Sequence, residues 1–172
     1  IMITIDGGTG IILNNGVEVA SPKQFDEWRM SADQTLSNTE VLSNWERTDS
    51  NFDVQGSGMT HSSGVFTFPT TGKYLINSNL SGRRVNTDQE YVGNIMALST
   101  DSGSSYATAC ATWSNCDSTN AHFVNNNSKI LDVTNVSTFR LYIRTNTAND
   151  VLFFGDTDGN RCTLQFIRLC GT

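Results

Sequence analysis

Basic residues are scarce in this chain. Eleven Lys and Arg stand against seventeen Asp and Glu, leaving a formal net charge of −6 and a pI near 4.7. That balance excludes a nucleic-acid reader, which needs a basic stripe for phosphates; Arg83-Arg84 is the one basic pair and reads as part of a solvated loop. Long apolar runs are missing too: none approaches the ~20 residues of a membrane-spanning helix. The first residues lack the pattern of a secretory leader, and a chain opening at Ile1 is expected to be a fragment or a processed piece. Histidine occurs twice, at His61 and His122, and neither lies in a nucleophile or metal motif. No pair of carboxylates is singled out by spacing, so the chain is read as a non-enzyme without a cofactor. Charged residues make up only 16%, so solubility rests on Asn, Ser and Thr, a composition that suits exposed β-structure and is poor for long helices.

Cysteine is also too sparse for a stapled scaffold. Cys162 and Cys170 fall on what reads as one strand, ~26 Å apart at ~3.3 Å per residue, beyond disulfide reach. Cys110 and Cys116 are placed to pair across a loop, and a metal site there would need more ligands than nearby His122 supplies. The simpler reading is four reduced, mostly buried thiols, compatible with assembly in a cytosol.

What the chain has is alternation. In Gly64 to Leu80, Val65 to Phe68 alternates at the period of two of a half-buried strand, Pro69 ends it, Thr70-Thr71-Gly72 turns, and Tyr74 to Leu80 resumes. Tyr74, Ile76, Ser78 and Leu80 then share one face. Further strands are expected from Trp28 through Ala32, at Val41 to Arg47, at Tyr91 to Ser99 and Ser105 to Trp113 around an Asp101-Ser102-Gly103 turn, at Lys129 to Val133, at Thr138 to Arg144, at Val151 to Phe154 and at Arg161 to Leu169. Ser21-Pro22 carries the N-cap and first-turn signal of a short helical connector reaching Trp28. Ser114 to Ser128, with Asn125-Asn126-Asn127, reads as a surface loop ordered only around His122 to Val124. Asp156-x-Asp158-x-Asn160 mimics a calcium loop, but its glycine falls at 159, Ile167 stands where the bidentate acid belongs, and no helices flank it, so it reads as a hairpin turn. Asn126-Asn127-Ser128 and Asn135-Val136-Ser137 are glycosylation sequons, of consequence only in a secretory host. About ten short strands at regular spacing describe an all-β jelly-roll sandwich.

Phe66, Pro69, Gly72, Tyr74 and Ile76 carry a resemblance to the C1q/tumour-necrosis-factor-like jelly roll, whose signature joins an aromatic-ended strand to a Pro-x-x-Gly-x-Tyr turn and an apolar strand. Thr163 to Leu169, with Phe166, resembles that family's closing strand; Val54, Met59 and Ser78 depart from its pattern. Residues 1–25, with alternating Ile1, Ile3 and Ile5 and the turn signal Asn15-Gly16, read as a short N-terminal β neck or connector before the jelly-roll domain of residues 26–172. They resemble the Gly-rich repeats preceding tip domains of phage fibres; the plainer alternative is an edge hairpin.

The resemblance implies a homotrimer, with Phe66, Tyr74, Tyr142 and Phe166 as aromatics of the core or the trimer axis. Joined to the composition, it leads us to expect a virion appendage: the tip of a phage tail fibre, head fibre or spike. Such a protein would be assembled in the host cytoplasm, displayed on the virion surface, joined to other virion proteins through its N-terminus, and bound to a host-surface glycan or protein. The loops Gly82 to Glu90 and Asn115 to Asn127 are the expected contacts. The alternatives are a capsid-decorating or fibre-capping structural protein without a receptor, and a secreted C1q-like recognition module.

Overall fold

Where inward and outward residues alternate for eight or more positions, the chain runs as long strands, and these set the frame. The computed structural model describes residues 24–85, 90–118 and 121–171, together with the backbone pairing of residues 3–5, 12–14 and 17–18. In chain order the strands are β1 (Ile3–Ile5), β2 (Ile12–Asn14), β3 (Val17–Glu18), β4 (Gln24–Met30) and β5 (Gln34–Leu36). Next come β6 (Trp45–Arg47), β7 (Thr60–Ser62), β8 (Val65–Thr67), β9 (Gly72–Arg84) and β10 (Tyr91–Ser99). The last are β11 (Ala107–Asn115), β12 (His122–Val133), β13 (Arg140–Thr147), β14 (Val151–Phe153) and β15 (Thr163–Cys170).

Strand β9 is the axis of a seven-stranded sheet. One edge of β9 pairs with β12 from Gly72 to Arg83; the other pairs first with β15 and then, from Gly82 to Arg84, with β14. Beyond β15 lie β4 and β6, and beyond β14 lies β5. The second sheet has the order β11-β10-β13-β8-β7. Its pairings are all antiparallel, as a jelly roll requires. β1, β2 and β3 form a separate small sheet, with β2 and β3 flanking the expected Asn15-Gly16 turn. That pair, and Ser21 to Lys23 of the expected helical connector, lie outside the described residues. The remainder of the connector is strand: Gln24 to Trp28 already belongs to β4. A local cap signal lost to tertiary pairing, since β4 is held between β15 and β6.

Gly72 opens β9 at φ 145°, and a Cβ there would run into the Cys170 carbonyl, so the turn after Pro69 admits only glycine comfortably. Between the sheets, Phe66 meets Trp28 at 5.3 Å and Phe166 at 5.2 Å, and Phe68 meets Tyr74 at 5.0 Å. Farther along the sandwich, Phe123 and Phe153 pack edge-on at 5.5 Å. The Tyr74 hydroxyl donates to the Thr70 carbonyl at 2.9 Å, so this buried phenol is satisfied within its own turn.

One buried charge organises the edge of β4. The Asp26 carboxylate accepts from Trp28 Nε1 at 3.0 Å, from Arg47 Nε at 2.8 Å and Nη2 at 3.1 Å, and from the Met59 backbone N–H. The Arg47 guanidinium also lies 4.8 Å over the Trp28 ring. Beside it, half-buried His61 sits 4.8 Å from Phe66 and 5.5 Å from Trp28, and its Nε2 accepts the Gly64 N–H at 2.9 Å.

Asp26→Ala removes the acceptor of four N–H donors and is expected to cost about 2–3 kcal/mol in chemical denaturation, below the figure for a fully buried pair because the Arg47 side chain is 36% exposed. Burial holds the His61 pKa below its usual 6.5, so the unfolded chain takes up the proton first as pH falls. Stability from this group is full above about pH 6.5 and declines as pH drops toward the folded-state value. Thermal melts of the wild type and His61→Gln across pH 5 to 8, a window of about one to two units around the histidine pKa, are expected to show a shallower slope in the variant.

Candidate interaction surface

Most of the stretch expected to be a surface loop is strand: Ser114 and Asn115 end β11, His122 to Ser128 open β12, and only 116–121 remain a connection. β12 runs through Asn125-Asn126-Asn127, with Asn125 and Asn127 buried and Asn126 exposed. Asn125 Nδ2 donates to the Val92 and Thr112 carbonyls at 2.9 and 3.2 Å, and its Oδ1 accepts the Thr112 hydroxyl. Asn127 Nδ2 donates to the Asn94 carbonyl at 3.0 Å, and its Oδ1 accepts the Cys110 thiol at 2.6 Å. From the facing sheet, Asn94 Nδ2 reaches back to the Asn125 carbonyl at 3.0 Å and to Ser78 Oγ at 3.1 Å. Each amide crosses from one sheet to the other, so this edge is joined by hydrogen bonds where the opposite side is joined by aromatic rings. Asparagine favours turns because its side chain bonds nearby backbone. Here those groups bond backbone of the other sheet.

The outward face of the seven-stranded sheet is ordered in rows by its register. Ile130, Leu75, Ile167 and Phe25 lie side by side across β12, β9, β15 and β4, and Phe25 meets Phe52 at 5.4 Å. Ile130 is 57% exposed. The adjoining row is polar: Ser128 donates to Asn77 at 2.9 Å, and Gln165 donates to Glu27 at 2.7 Å. Asn77, Asn79, Asn126, Ser128, Thr163 and Gln165 line a shallow cleft of about 290 Å³. The row on the other side of the apolar one is the exposed Lys73–Asp132 ion pair, 2.7 Å.

The two expected contact loops shrink but meet. Gly82 to Arg84 belongs to β9, and Asn115 and His122 to Asn127 belong to β11 and β12. The connections that remain, 85–90 and 116–121, are tied together: the Cys116 N–H donates to the Glu90 carbonyl at 2.8 Å and the Arg84 N–H to the Ala121 carbonyl at 2.9 Å. Residues 86–89 and 119–120 of them lie outside the described residues. At this same end are Val85, Tyr91, Trp113 and Val124, all exposed apolar side chains. Gln24 pairs near the opposite end of the sheet, beside Arg168 and Tyr74. β9 separates the two ends by roughly 40 Å at ~3.3 Å per residue.

Of the aromatics expected at the core or axis, Phe66, Tyr74 and Phe166 are fully buried between the sheets of one protomer. Tyr142 points the other way, half-buried on the outer face of the five-stranded sheet with its ring 4.2 Å from Tyr106. All four thiols are free, Cys110 and Cys116 included. Cys162 precedes β15 and donates to the Ser81 carbonyl at 3.1 Å; burial pushes its pKa up. His61 is enclosed by rings, while His122 lies against Phe154 at 5.5 Å. Asp156 accepts the Asp158 N–H at 3.0 Å, which holds its carboxyl below the usual range, and also pairs with Arg161. The loop that resembled a calcium site therefore spends its first acid on its own turn. Among the described residues no group of three or more His, Cys, Asp or Glu is placed to hold a metal ion, and no helix is long and apolar enough to cross a membrane.

Neither a protein-family model nor a curated protein matches the sequence. Solved structures do match the fold. Eiger TNF from S. frugiperda superimposes with a TM-score of 0.64 at 13% identity, covering 88% of this chain and 96% of that one. Murine APRIL at pH 5.0 gives 0.63 at 13% identity, with 85% and 98% covered, and at pH 8.5 it gives 0.60 at 14% with the same coverage. The fold is a TNF-like jelly roll. At these identities the likeness is one of architecture.

Asn125→Leu removes the amide while keeping the volume, leaving two carbonyls and the Thr112 hydroxyl without it. It is expected to cost about 2–3 kcal/mol, and hydrogen exchange should quicken first in β11 and β12.

Proposed function

We propose that this chain is a non-enzymatic binding tip. It assembles as a homotrimer, is carried on a virion appendage such as a phage tail fibre, head fibre or spike, and holds its distal loops against a glycan or protein of the host surface. The observation that carries this reading is the polarity of the protomer. The N-terminal segment joins the sandwich beside Gln24, and the exposed apolar side chains Val85, Tyr91, Trp113 and Val124 gather at the far end with the connections 85–90 and 116–121. An attachment end and a contact end are thus set apart by the length of β9.

Self-association is supported by two things. The resemblance to the C1q/tumour-necrosis-factor-like jelly roll implies a homotrimer, and the row Ile130, Leu75, Ile167 and Phe25 presents apolar surface on a sheet face where a second copy can lie. The amides of the neighbouring row then supply hydrogen bonds that fix the register of that contact. Three copies display three distal ends, so weak individual contacts add through effective concentration. The N-terminal small sheet, with strands of two or three residues, is too slight to fold alone and suits a segment packed against other copies or other virion proteins.

Native mass spectrometry of the 172-residue chain is expected to give a trimer. Ile130→Lys, made at an exposed position, should leave the far-ultraviolet circular dichroism unchanged and shift the mass to a monomer. A wild-type chain that is monomeric at micromolar concentration would remove the trimer from this reading.

A further inference from the structure

The outer face of the five-stranded sheet carries an aromatic shelf. Trp113 on β11, Gly93 on β10 and Asn146 on β13 stand in one cross-strand row. The Trp113 side chain is 56% exposed, yet it does not project freely: its Nε1–H donates to Asn146 Oδ1 at 3.3 Å. That bond spans the intervening strand, so the indole is laid across β10. Gly93 lies beneath, and a Cβ there would come within 2.9 Å of the indole nitrogen. One ring face is thereby pressed on backbone and the other is turned to solvent. Tyr91, 38% exposed, is two residues along β10 on the same face, diagonal to Trp113 and within reach of the same bound molecule.

We infer that this shelf is a saccharide-binding site that takes an uncharged pyranose ring. The inference rests on the surface-binding reading above and names its ligand class. An indole face is electron-rich and attracts the weakly positive C–H groups that line one side of a pyranose. The Asn146 amide at its edge and the Tyr91 hydroxyl are donors and acceptors suited to ring hydroxyls. Charge complementarity selects within the class. The Trp113–Gly93–Asn146 row has no ionised group; half-buried Arg144 is one row in and Asp117 is at the margin beside Asn115. With a net charge of −6 on the chain, acidic sugars are disfavoured at the approach. Size points the same way. At their observed exposures Trp113 and Tyr91 offer on the order of 200 Å², against ~800 Å² per partner for a standard protein interface. The shelf also lies on the opposite side of the sandwich from the Ile130 row, so it remains open when that row is covered.

The test is a titration of the intact chain with methyl β-galactopyranoside, methyl β-glucopyranoside and methyl α-mannopyranoside, with N-acetylneuraminic acid as the anionic comparison. Tryptophan emission reports the shelf directly because Trp28 and Trp45 are buried at 8% and 6% exposure; saturation-transfer NMR gives the second readout. At least one neutral glycoside is expected to give a saturable change. Trp113→Ala should abolish saturation transfer, and Asn146→Ala should weaken binding about tenfold. Gly93→Ala, which lifts the indole off the sheet, should weaken it while Trp113 is still present. Circular dichroism and native mass are expected to be unchanged in all three variants. No response to any neutral glycoside, a response that survives Trp113→Ala, or binding of the acidic sugar alone would overturn the proposal. So would a change of oligomeric mass in Trp113→Ala, which would make the shelf a subunit contact. A monomeric wild type that still binds sugar would instead count against the homotrimer and leave the shelf standing.

Discussion

A buried amide has to be answered, and that requirement closes one whole edge of this sandwich. Asn94, Asn125 and Asn127 are all withdrawn from water, where an unpartnered amide costs on the order of 1–3 kcal/mol. Their partners are carbonyls, a hydroxyl and a thiol on the facing sheet. Apolar side chains tolerate small sliding of one sheet over the other, because dispersion has little direction. These bonds do not. The spacing of β11 and β12 is consequently set by hydrogen-bond lengths, and the connections 85–90 and 116–121 are brought together as a result. The distal end is a product of the seam.

The other side of the molecule solves a related problem with charge. Asp26 gathers Arg47, Trp28 and the Met59 backbone, folding the segment between β6 and β7 down over β4. His61 fits beside it only as the neutral ring, since its Nε2 is already an acceptor. The rings of Phe66, Phe68, Tyr74 and Phe166 fill the space between. Both outer faces are left to the surface, one with an apolar and an amide row, the other with the Trp113 shelf.

The long alternating strands were legible from sequence, because period-two burial and turn chemistry agree. Tyr74 to Leu80 falls within β9, the expected Thr138 to Arg144 and Arg161 to Leu169 each begin two residues ahead of β13 and β15, and the Pro69-to-Gly72 turn is where it was expected. The ends of β12, His122 to Val124 and Lys129 to Val133, were legible, but its middle was hidden because the inward residues there, Asn125 and Asn127, are ones that the local chemistry of turns favours equally. The connector ahead of Trp28 misled in the same way: Ser21-Pro22 is a good helix start, yet Gln24 to Trp28 pairs with β15 as strand. The surface rows were beyond reach. Leu75, Ile167 and Phe25 are far apart in sequence, and nothing but register aligns them. Tyr142 alternates with buried Leu141 and Ile143, and alternation alone assigns two faces without saying which of them is inside.

The order in which the strands are made has its own consequence. β15, last in sequence, lies in the middle of the large sheet, between β9 and β4. Until Thr163 to Cys170 has been synthesised, both neighbours present open edges, the feature that invites pairing between chains. Nearly every partner of β9 is distant in sequence, and loops of that length close slowly. The sandwich therefore closes only once β15 has been made, and that strand acts as the keystone. Newly made chains pass through a stage in which the long central strand is exposed on one side, and the crowding of sibling chains at that stage decides between folding and aggregation.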